Sequence, residues 1–325
     1  MRPNSTRHRT PLTVGLAALI LAVAPTGIAA QGNILHPPDT IEKRLAHDDF
    51  EIVDRRGSRF DGDRTNRVAM SFADGTMMVA KWALAPQGGE AYNNNPRYEV
   101  AAYELQKLFL RPHEFVVPPT VLRAFDLGWF RSLEPGVRPT FNDTESVLVV
   151  LQYWLFDIAG AEFWDRRRFA SDSVYARHLA NFNIFTYLVR HNDQNQGNYL
   201  ISGIETDPRV FSVDNGIAFQ SSVSDQGANW RRLRVDRLPT ETIDRLRELT
   251  EEDVRRRLET VAQFRIQPDG TLTAEPTGPA RDPGQGIRRS DRVIQLGLDR
   301  REIDDVWRRI QRLLARVDDG DFELF

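Results

Sequence analysis

The stretch that decides the fold reads RHNDQNQGN over residues 190–198, and DNG follows it at residues 214–216. Between them lie two short apolar runs, each of strand length, joined by a turn. If these strands pair about Thr206, Asn198 faces Asp214, and the Cβ atoms of such opposite residues are ~5 Å apart. The pattern therefore predicts a hairpin whose open end brings a side-chain amide and a carboxylate together.

The hairpin supplies hard oxygen ligands for a metal ion. Asp193 lies just upstream of Asn198 and Asp214 in the same polar segment. Mg²⁺ and Mn²⁺ that carry a polyphosphate keep several waters and take one or two carboxylates from the protein. We therefore predict a divalent metal site at Asn198 and Asp214. The alternative for a polar segment of this kind is a turn held by Asx hydrogen bonds.

A second hairpin is predicted upstream. Residues 67–73 and 76–84 alternate apolar and polar side chains on either side of Asp74 and Gly75, which form a two-residue turn. Lys81 lies on the second strand, where its neighbours on the same face are apolar. A lone strand lysine is more often a surface charge that faces water.

A helix is predicted to follow this hairpin. Asn95 and Pro96 form a typical helix start, and the apolar pattern continues to about Leu110. Glu99 lies in the first turn of this helix. Glu104 is the rival acidic residue on the same helix, and a position facing solvent is expected for whichever of the two has no role in the site.

The order and spacing of these residues resemble those of protein kinases. His191, Asp193 and Asn198 reproduce the spacing of the kinase catalytic loop, and Asp214 begins a triplet at the place of the kinase Asp-x-Gly. The strand lysine and the helix glutamate described above occur in the same order as the kinase lysine and its helix partner.

The amino-acid sequences of three segments are similar to those of the atypical branch of the protein-kinase superfamily. These segments are YEVAAY at 98–103, VPP at 117–119 and DNGIAF at 214–219. The atypical branch groups secretory-pathway kinases of the Golgi casein type, phosphatidylinositol 3- and 4-kinase-like proteins and HipA-type kinases. The resemblance covers residues 51–220, and the rest of the chain is similar only in being helical.

The resemblance implies a role for each residue of the set and implies ATP with Mg²⁺ or Mn²⁺ as cofactors. Lys81 would hold the α- and β-phosphates of ATP, with Glu99 orienting it. Asp193 would accept or steer the proton of the acceptor hydroxyl. Asn198 and Asp214 would bind the metal.

The sequence also departs from the protein-kinase pattern. In place of a Gly-x-Gly-x-x-Gly loop, residues 56–63 contain Gly57 and Gly62, which we assign to cofactor binding. Asn192 replaces the usual arginine of the catalytic loop, and no Ala-Pro-Glu triplet follows DNG. Regulation by a phosphorylated activation loop is therefore not expected.

The overall pattern predicts an α+β protein with the two-lobed, protein-kinase-like fold. A β-rich N-terminal lobe with one helix is expected at 31–151. A helical C-terminal lobe with the catalytic loop and the metal-binding hairpin is expected at 152–325. One of its helices is expected to end near Arg190, and another to begin with the capping-box pair Asp299 and Glu302. A proline- and glycine-rich stretch at 275–285 is expected to be a surface loop.

The first 30 residues have the order of a secretory signal: basic residues, a short apolar run, then small residues. Cleavage near Ala30 is expected, because the apolar run is short. An uncleaved membrane anchor would have to include Pro25 to reach the ~20 apolar residues that a membrane span needs. The protein is then exported, to the periplasm or outside the cell, with no integral membrane segment after cleavage.

Composition excludes several classes of protein and site. The chain contains no cysteine, which excludes disulfides and thiolate chemistry, and its net charge of −3 offers no strongly basic surface for nucleic acid. The histidine spacing supports no zinc hydrolase, and the 193–198 segment does not have the EF-hand pattern. His191 is interpreted as a residue that shapes the loop. The arginine runs at 255–257 and 308–309 are expected on solvated helix faces, and the alternative is a patch for a phospholipid or an acidic substrate.

The sequence thus predicts an exported ATP-dependent phosphotransferase that transfers the γ-phosphoryl group to a hydroxyl of a protein, lipid or small molecule. The alternative is a secreted pseudokinase, a binding module for a nucleotide or a protein. The occupied metal and base positions favour the enzyme, and the scarcity of ATP outside the cytoplasm favours the binding module.

Overall fold

The structure positions most of the residues on which these predictions depend. The computed structural model describes residues 32–57, 65–160, 162–193, 196–219 and 230–325. The predicted signal segment at 1–30 and the predicted cofactor-binding residue Gly62 lie outside the described residues.

The first half of the chain forms a five-stranded antiparallel sheet in the order β1-β2-β3-β5-β4. Its strands are β1 (Phe50–Gly57), β2 (Thr65–Phe72), β3 (Met77–Leu84), β4 (Thr120–Asp126) and β5 (Ser146–Tyr153). The predicted hairpin is β2 and β3, and Gly75 in its turn has φ +81°, which favours glycine. Lys81 lies on β3, paired with Arg67 on one side and Gln152 on the other.

Three helices accompany this sheet, so the prediction of one helix was wrong. They are α1 (Pro38–His47), α2 (Pro96–Gln106) and α3 (Leu127–Leu133). α1 buries only Ile41 and Leu45, which is too short an apolar pattern to distinguish it from a loop by periodicity. α2 is the predicted helix that carries Glu99, and it ends four residues before the predicted Leu110.

The second half contains the remaining five helices of the described residues. They are α4 (Arg166–Ser171), α5 (Ser173–Val189), α6 (Thr240–Glu248), α7 (Glu251–Leu258) and α8 (Arg300–Asp318). α5 ends where predicted, because Arg190 takes the left-handed conformation with φ +50°. Asp299 and Glu302 form the predicted capping box of α8, whose apolar stripe is buried. No helix of the described residues is long and apolar enough to span a membrane.

Short strands connect these helices. β6 (Ile158–Ala159), β7 (Tyr199–Ser202) and β8 (Val210–Ser212) form one antiparallel sheet, which contains the predicted metal hairpin. β9 (Arg237–Leu238) pairs in parallel with β14 (Glu323–Leu324) near the end of the chain.

A four-stranded antiparallel sheet in the second half was not predicted and corrects the expectation of a purely helical lobe. Its strands are β10 (Ala262–Ile266), β11 (Leu272–Ala274), β12 (Ile287–Ser290) and β13 (Val293–Leu296), in the order β11-β10-β13-β12. The strands have three to five residues, which is too few for a clear alternating pattern. The stretch at 275–285 between β11 and β12 is a loop, as predicted.

Three hydrophobic cores hold these elements together. One lies between α1, α3 and one face of the five-stranded sheet. A second packs β10–β13 against the same sheet, with Phe264 and Leu148 among its side chains and Val100 contributed by α2. The third is the core of the helical half, which also takes Tyr98 and Tyr103 from α2. α2 therefore contributes to cores on both sides of the cleft described next.

Candidate active site

A cleft of about 590 Å³ lies where the two halves of the chain meet. Its lining combines side chains of β2, β3 and α2 with residues that flank the β7–β8 hairpin: Thr65, Lys81, Ala83, Asn93, Asn94, Glu99, Asp193, Asp214, Gly216 and Ile217. Four of the residues predicted from the sequence, Lys81, Glu99, Asp193 and Asp214, are therefore brought together.

Lys81 lies between two carboxylates. Its Nζ is 3.4 Å from Glu99 Oε1 and 3.1 Å from Asp214 Oδ1, and its side chain is 16% exposed. Burial alone would lower the pKa of the Lys81 ammonium, but the two carboxylates outweigh burial and raise that pKa above its ordinary value. Lys81 is therefore a fixed positive charge at the wall of the cleft.

Glu99 uses both carboxylate oxygens. Oε1 contacts Lys81, and Oε2 accepts the backbone N–H of Asn215 at 3.0 Å. Burial raises the pKa of Glu99, and the charge of Lys81 opposes that rise. Glu104, the rival acid on α2, pairs instead with Lys107 at 2.5 Å and Arg257 at 3.1 Å. The predicted pairing of Lys81 with Glu99 rather than Glu104 is confirmed.

The register of the β7–β8 hairpin differs from the predicted one by a residue. Asn198 lies opposite Val213, whose N–H donates to the Asn198 carbonyl at 2.9 Å, and not opposite Asp214. The turn has four residues and is closed by the Asp207 N–H donating to the Ile204 carbonyl at 3.1 Å. The midpoint of this turn therefore falls before Thr206. A shift of one residue in the pairing moves each side chain of a strand to the opposite face of the sheet.

Asp214 lines the cleft even though the ladder ends before it. Its backbone takes the left-handed conformation with φ +58°, which aspartate tolerates better than most residues. The side chain is 53% exposed, and the charge of Lys81 lowers the pKa of its carboxyl group against the effect of burial. The local backbone turn at Asp214, rather than strand pairing, accounts for its position.

Asn198 is not among the residues that line the cleft. It is buried at the end of a 3₁₀ turn, Gln196–Asn198, and its side-chain amide donates to the backbone carbonyl of Asp193 at 3.2 Å. This contact holds the backbone of Asp193, whose side chain does line the cleft. The expectation that Asn198 and Asp214 both point into the cleft is therefore corrected.

His191 is fully buried beneath the loop. Its Nε2 is 3.4 Å from the Val213 carbonyl oxygen, and its ring packs edge-on against Tyr199. Burial lowers the pKa of the imidazole to about 4, so it is neutral at physiological pH. These contacts join the catalytic-loop segment to β7 and β8, in agreement with the interpretation of His191 as a loop-shaping residue.

The predicted cofactor-binding glycines receive no support from this geometry. Gly57 is the last residue of β1, opposite Asn66, and does not line the cleft. A Cβ added to Gly57 would meet nothing within 4 Å, so no close approach requires glycine there.

The asparagines that precede α2 were not predicted to belong to the site. Asn95 was expected to cap the helix, but its side chain makes no cap and donates instead to the Gly216 carbonyl at 3.1 Å. The Asn95 backbone N–H donates to the same carbonyl at 3.2 Å, and Asn93 and Asn94 line the cleft. Three consecutive asparagines before a helix are the signal that could have marked this contact.

Comparison with known proteins adds evidence on the fold. Neither the scan against protein-family models nor the search of curated proteins finds a match to this chain. Among solved structures, the chain is similar to hydra Fam20 with a bound sugar, with a TM-score of 0.50 and 12% identity. That similarity covers 86% of this chain and 87% of the other.

The chain is also similar to a Golgi casein kinase, with a TM-score of 0.50 and 14% identity over 86% of this chain and 75% of the other. Identities this low establish the fold alone. The predicted α+β, two-lobed architecture is confirmed. The chain has the kinase-like fold of these two structures.

Proposed function

We propose that this protein is an ATP-dependent phosphotransferase that transfers the γ-phosphoryl group to a hydroxyl. The observation that carries the proposal is Lys81, a partly buried cation held by Glu99 and Asp214 at the wall of a cleft between the two halves. The positive charge of Lys81 is suited to the phosphates of ATP, and the exposed carboxylate of Asp214 is suited to the metal ion that accompanies them. The kinase-like fold supports the same interpretation.

Each residue has a proposed task. Lys81 binds the phosphates of ATP, and Glu99 keeps its ammonium in place. Asp193 accepts or steers the proton of the acceptor hydroxyl, which requires a carboxylate at the cleft rather than beneath it. Asn198 positions Asp193 through the backbone carbonyl that accepts its amide N–H.

The residues present fit Mg²⁺ or Mn²⁺. The described residues contain no cluster of three or more carboxylates, histidines or cysteines that could hold a metal on its own. One exposed carboxylate with the substrate phosphates and water is a normal ligand set for these ions. Asp214 would hold the ion, which would neutralise charge on the transferred phosphoryl group when bound. Asn198 is not proposed as a ligand, because it is buried and does not line the cleft.

The acceptor and the location are also proposals. The names of the two structural neighbours refer to a sugar and to casein, so carbohydrate and protein hydroxyls are the acceptor classes to test first. The signal-like N-terminus supports export to the periplasm or outside the cell. No nucleic-acid partner is proposed, because the chain is slightly acidic.

Nucleotide binding provides the first test. Thermal unfolding of the protein is measured with ATP, with and without Mg²⁺ or Mn²⁺. Saturating nucleotide at about 100 Kd should add ~2.7 kcal/mol to the free energy of unfolding. Lys81→Met should remove that gain, and Lys43→Met, a lysine of α1 away from the cleft, should keep it. No stabilisation of the wild type by any nucleotide would contradict the proposal.

A further inference from the structure

A second cavity, of about 550 Å³, lies on the helical half where the end of α5 meets α8. Its lining, here called the arginine pocket, carries six guanidinium groups: Arg190, Arg231, Arg232, Arg308, Arg309 and Arg312. The carboxylate in the lining is Asp305, which pairs with Arg308. Six cations against one anion leave this cavity strongly positive, although the whole chain has a net charge of −3.

The pocket does not behave as an ordinary charged helix face. The arginine run at 255–257 does, because Arg255 pairs with Glu252 at 2.5 Å and Glu259 at 2.9 Å. In contrast, no carboxylate of the described residues forms an ion pair with Arg309 or Arg312. The expectation of a solvated helix face is borne out for Arg308, which is exposed and pairs with Asp305, and it is wrong for Arg309, which is partly buried. Like charges that line one cavity, such as those of Arg309 and Arg312, repel one another, and a bound anion would relieve that repulsion.

The Arg309 guanidinium is held in place by one hydrogen bond and has a second donor that makes none with the described residues. Its Nε donates to the Leu188 carbonyl at 2.7 Å, which fixes the guanidinium against the end of α5. Its Nη2 is buried and has no hydrogen-bond partner among the described residues. A buried donor without a partner costs free energy. Burial lowers the pKa of Arg309 to about 10, so the group remains charged at neutral pH.

The pocket adjoins the cleft but is separate from it. Arg231 donates to the Asn192 side-chain oxygen at 3.0 Å, and the Asn192 amide donates to the Ile217 carbonyl at 3.2 Å. Ile217 lines the cleft, and no residue lines both cavities. Arg190 and Asp193 are three residues apart, a distance of at most ~11 Å along an extended chain.

We propose that the arginine pocket binds a small polyanion that carries two or more phosphate or sulfate groups. Guanidinium groups bind tetrahedral oxyanions through paired, charge-assisted hydrogen bonds, and the number of cations here exceeds what one such group can engage. The volume also suits a molecule larger than a single phosphate. This site goes beyond the proposed phosphoryl transfer and does not depend on it.

Calorimetric titration of the whole protein with inorganic tripolyphosphate tests the proposal, in EDTA and without nucleotide. The pocket variant is the double substitution Arg232→Gln and Arg312→Gln, since both side chains are exposed. The matched control is Arg256→Gln with Arg301→Gln, which removes the same charge from exposed positions outside the pocket. Lys81→Met reports on the cleft. Orthophosphate serves as the single-group probe.

The wild type, the control variant and Lys81→Met should bind tripolyphosphate with affinities within about twofold of one another. The pocket variant should bind it at least tenfold more weakly, and orthophosphate should bind the wild type much more weakly than tripolyphosphate does. Undiminished binding by the pocket variant would overturn the proposal. So would an equal loss in the control variant, or a loss in Lys81→Met, because either result would move the binding elsewhere.

Discussion

Glu99 connects three parts of the site through one carboxylate. It contacts Lys81 on β3, lies on α2, and accepts the N–H of Asn215 beside Asp214. Because Glu99 is buried, its charge acts on Lys81 through a medium that screens weakly. The position of the Lys81 ammonium therefore depends on Glu99 as much as on Asp214.

Glu99→Gln should lower the rate of phosphoryl transfer at least tenfold. The substitution keeps the shape of the side chain but removes the negative charge that competes with Asp214 for the Lys81 ammonium. Lys81 should therefore shift toward Asp214, the proposed metal ligand. Steady-state assays measure the effect, and circular dichroism checks the fold. Glu104→Gln on the same helix should retain wild-type activity, since Glu104 pairs with Lys107 and Arg257. Equal losses in both variants would point to a general disturbance of α2.

His191 should make folding sensitive to acid. Its folded pKa is about 4, below the ordinary value of 6.5, so the unfolded chain takes up the proton first as the pH falls. The free energy of unfolding should therefore decrease by about 3 kcal/mol between pH 6.5 and 4, and this contribution is fully present only above pH 6.5.

Urea denaturation across this pH range, compared between the wild type and His191→Gln, measures the effect. The comparison cancels contributions of other groups, including Glu99, whose raised pKa acts in the opposite direction. His113→Gln, which changes an exposed histidine, is the matched control for the loss of an imidazole. A His191→Gln protein with the same dependence as the wild type would refute the assignment.

At the scale of elements, α2 is the helix that determines the geometry of the cleft. Arg97 donates to both oxygens of Glu302 at 2.6 and 3.0 Å, and the Tyr98 hydroxyl contacts the same carboxylate. Glu302 also closes the capping box at the start of α8. One carboxylate therefore fixes α2 to α8, two residues before Glu99.

Arg97→Gln should reduce the free energy of unfolding by about 3 kcal/mol. The Arg97 and Glu302 side chains are 8% and 12% exposed, and removing one partner of a buried pair leaves the other charge uncompensated. Urea denaturation provides the measurement. Arg265→Gln breaks a pair with Glu275 in which the arginine is 48% exposed, and should cost less than about 1 kcal/mol. Similar values for the two variants would show that the contact between α2 and α8 contributes little.

The sequence predicted the elements with long or strongly marked patterns. The β2–β3 hairpin, the end of α5 near Arg190 and the capping box of α8 are confirmed, because a local signal determines each of them. The four strands of the β10–β13 sheet are too short to show the alternating apolar pattern of a strand. They form where apolar side chains from distant parts of the sequence pack together. Their partners, such as Leu148 and Phe264, cannot be paired from sequence alone.

The same distinction applies to the site: positions that a local sequence pattern marks were predicted, and positions that depend on the exact pairing of strands were not. The pairing of Lys81 with Glu99 was implied by the resemblance to kinases, and a strand and a helix of clear type carry the two residues. The position of Asn198 did not, because it depends on whether the turn after β7 has an odd or an even number of residues. The left-handed backbone at Asp214 then placed this carboxylate in the cleft despite the different register.

At the scale of the whole molecule, both halves of the chain build one cleft. The five-stranded sheet and α2 supply Lys81 and Glu99, and the helical half supplies Asp193 and Asp214. α2 joins the halves, since Tyr98 packs in the helical core while Val100 packs beneath the sheets. The proposed phosphoryl transfer would require all of these parts at once, whereas binding of a nucleotide would not require Asp193.

Single-turnover transfer from ATP labelled at the γ-phosphoryl group tests the central claim most directly. The wild type should transfer the label to itself, to water or to an offered sugar or protein hydroxyl. Asp193→Ala should lose transfer and keep the stabilisation by ATP, because Asp193 faces the acceptor. Asp214→Ala should lose both, since an electrostatic contact made in the transition state is worth ~3 to 4 kcal/mol. A wild-type protein that binds ATP but transfers no label under any of these conditions would contradict the enzyme and leave a nucleotide-binding module.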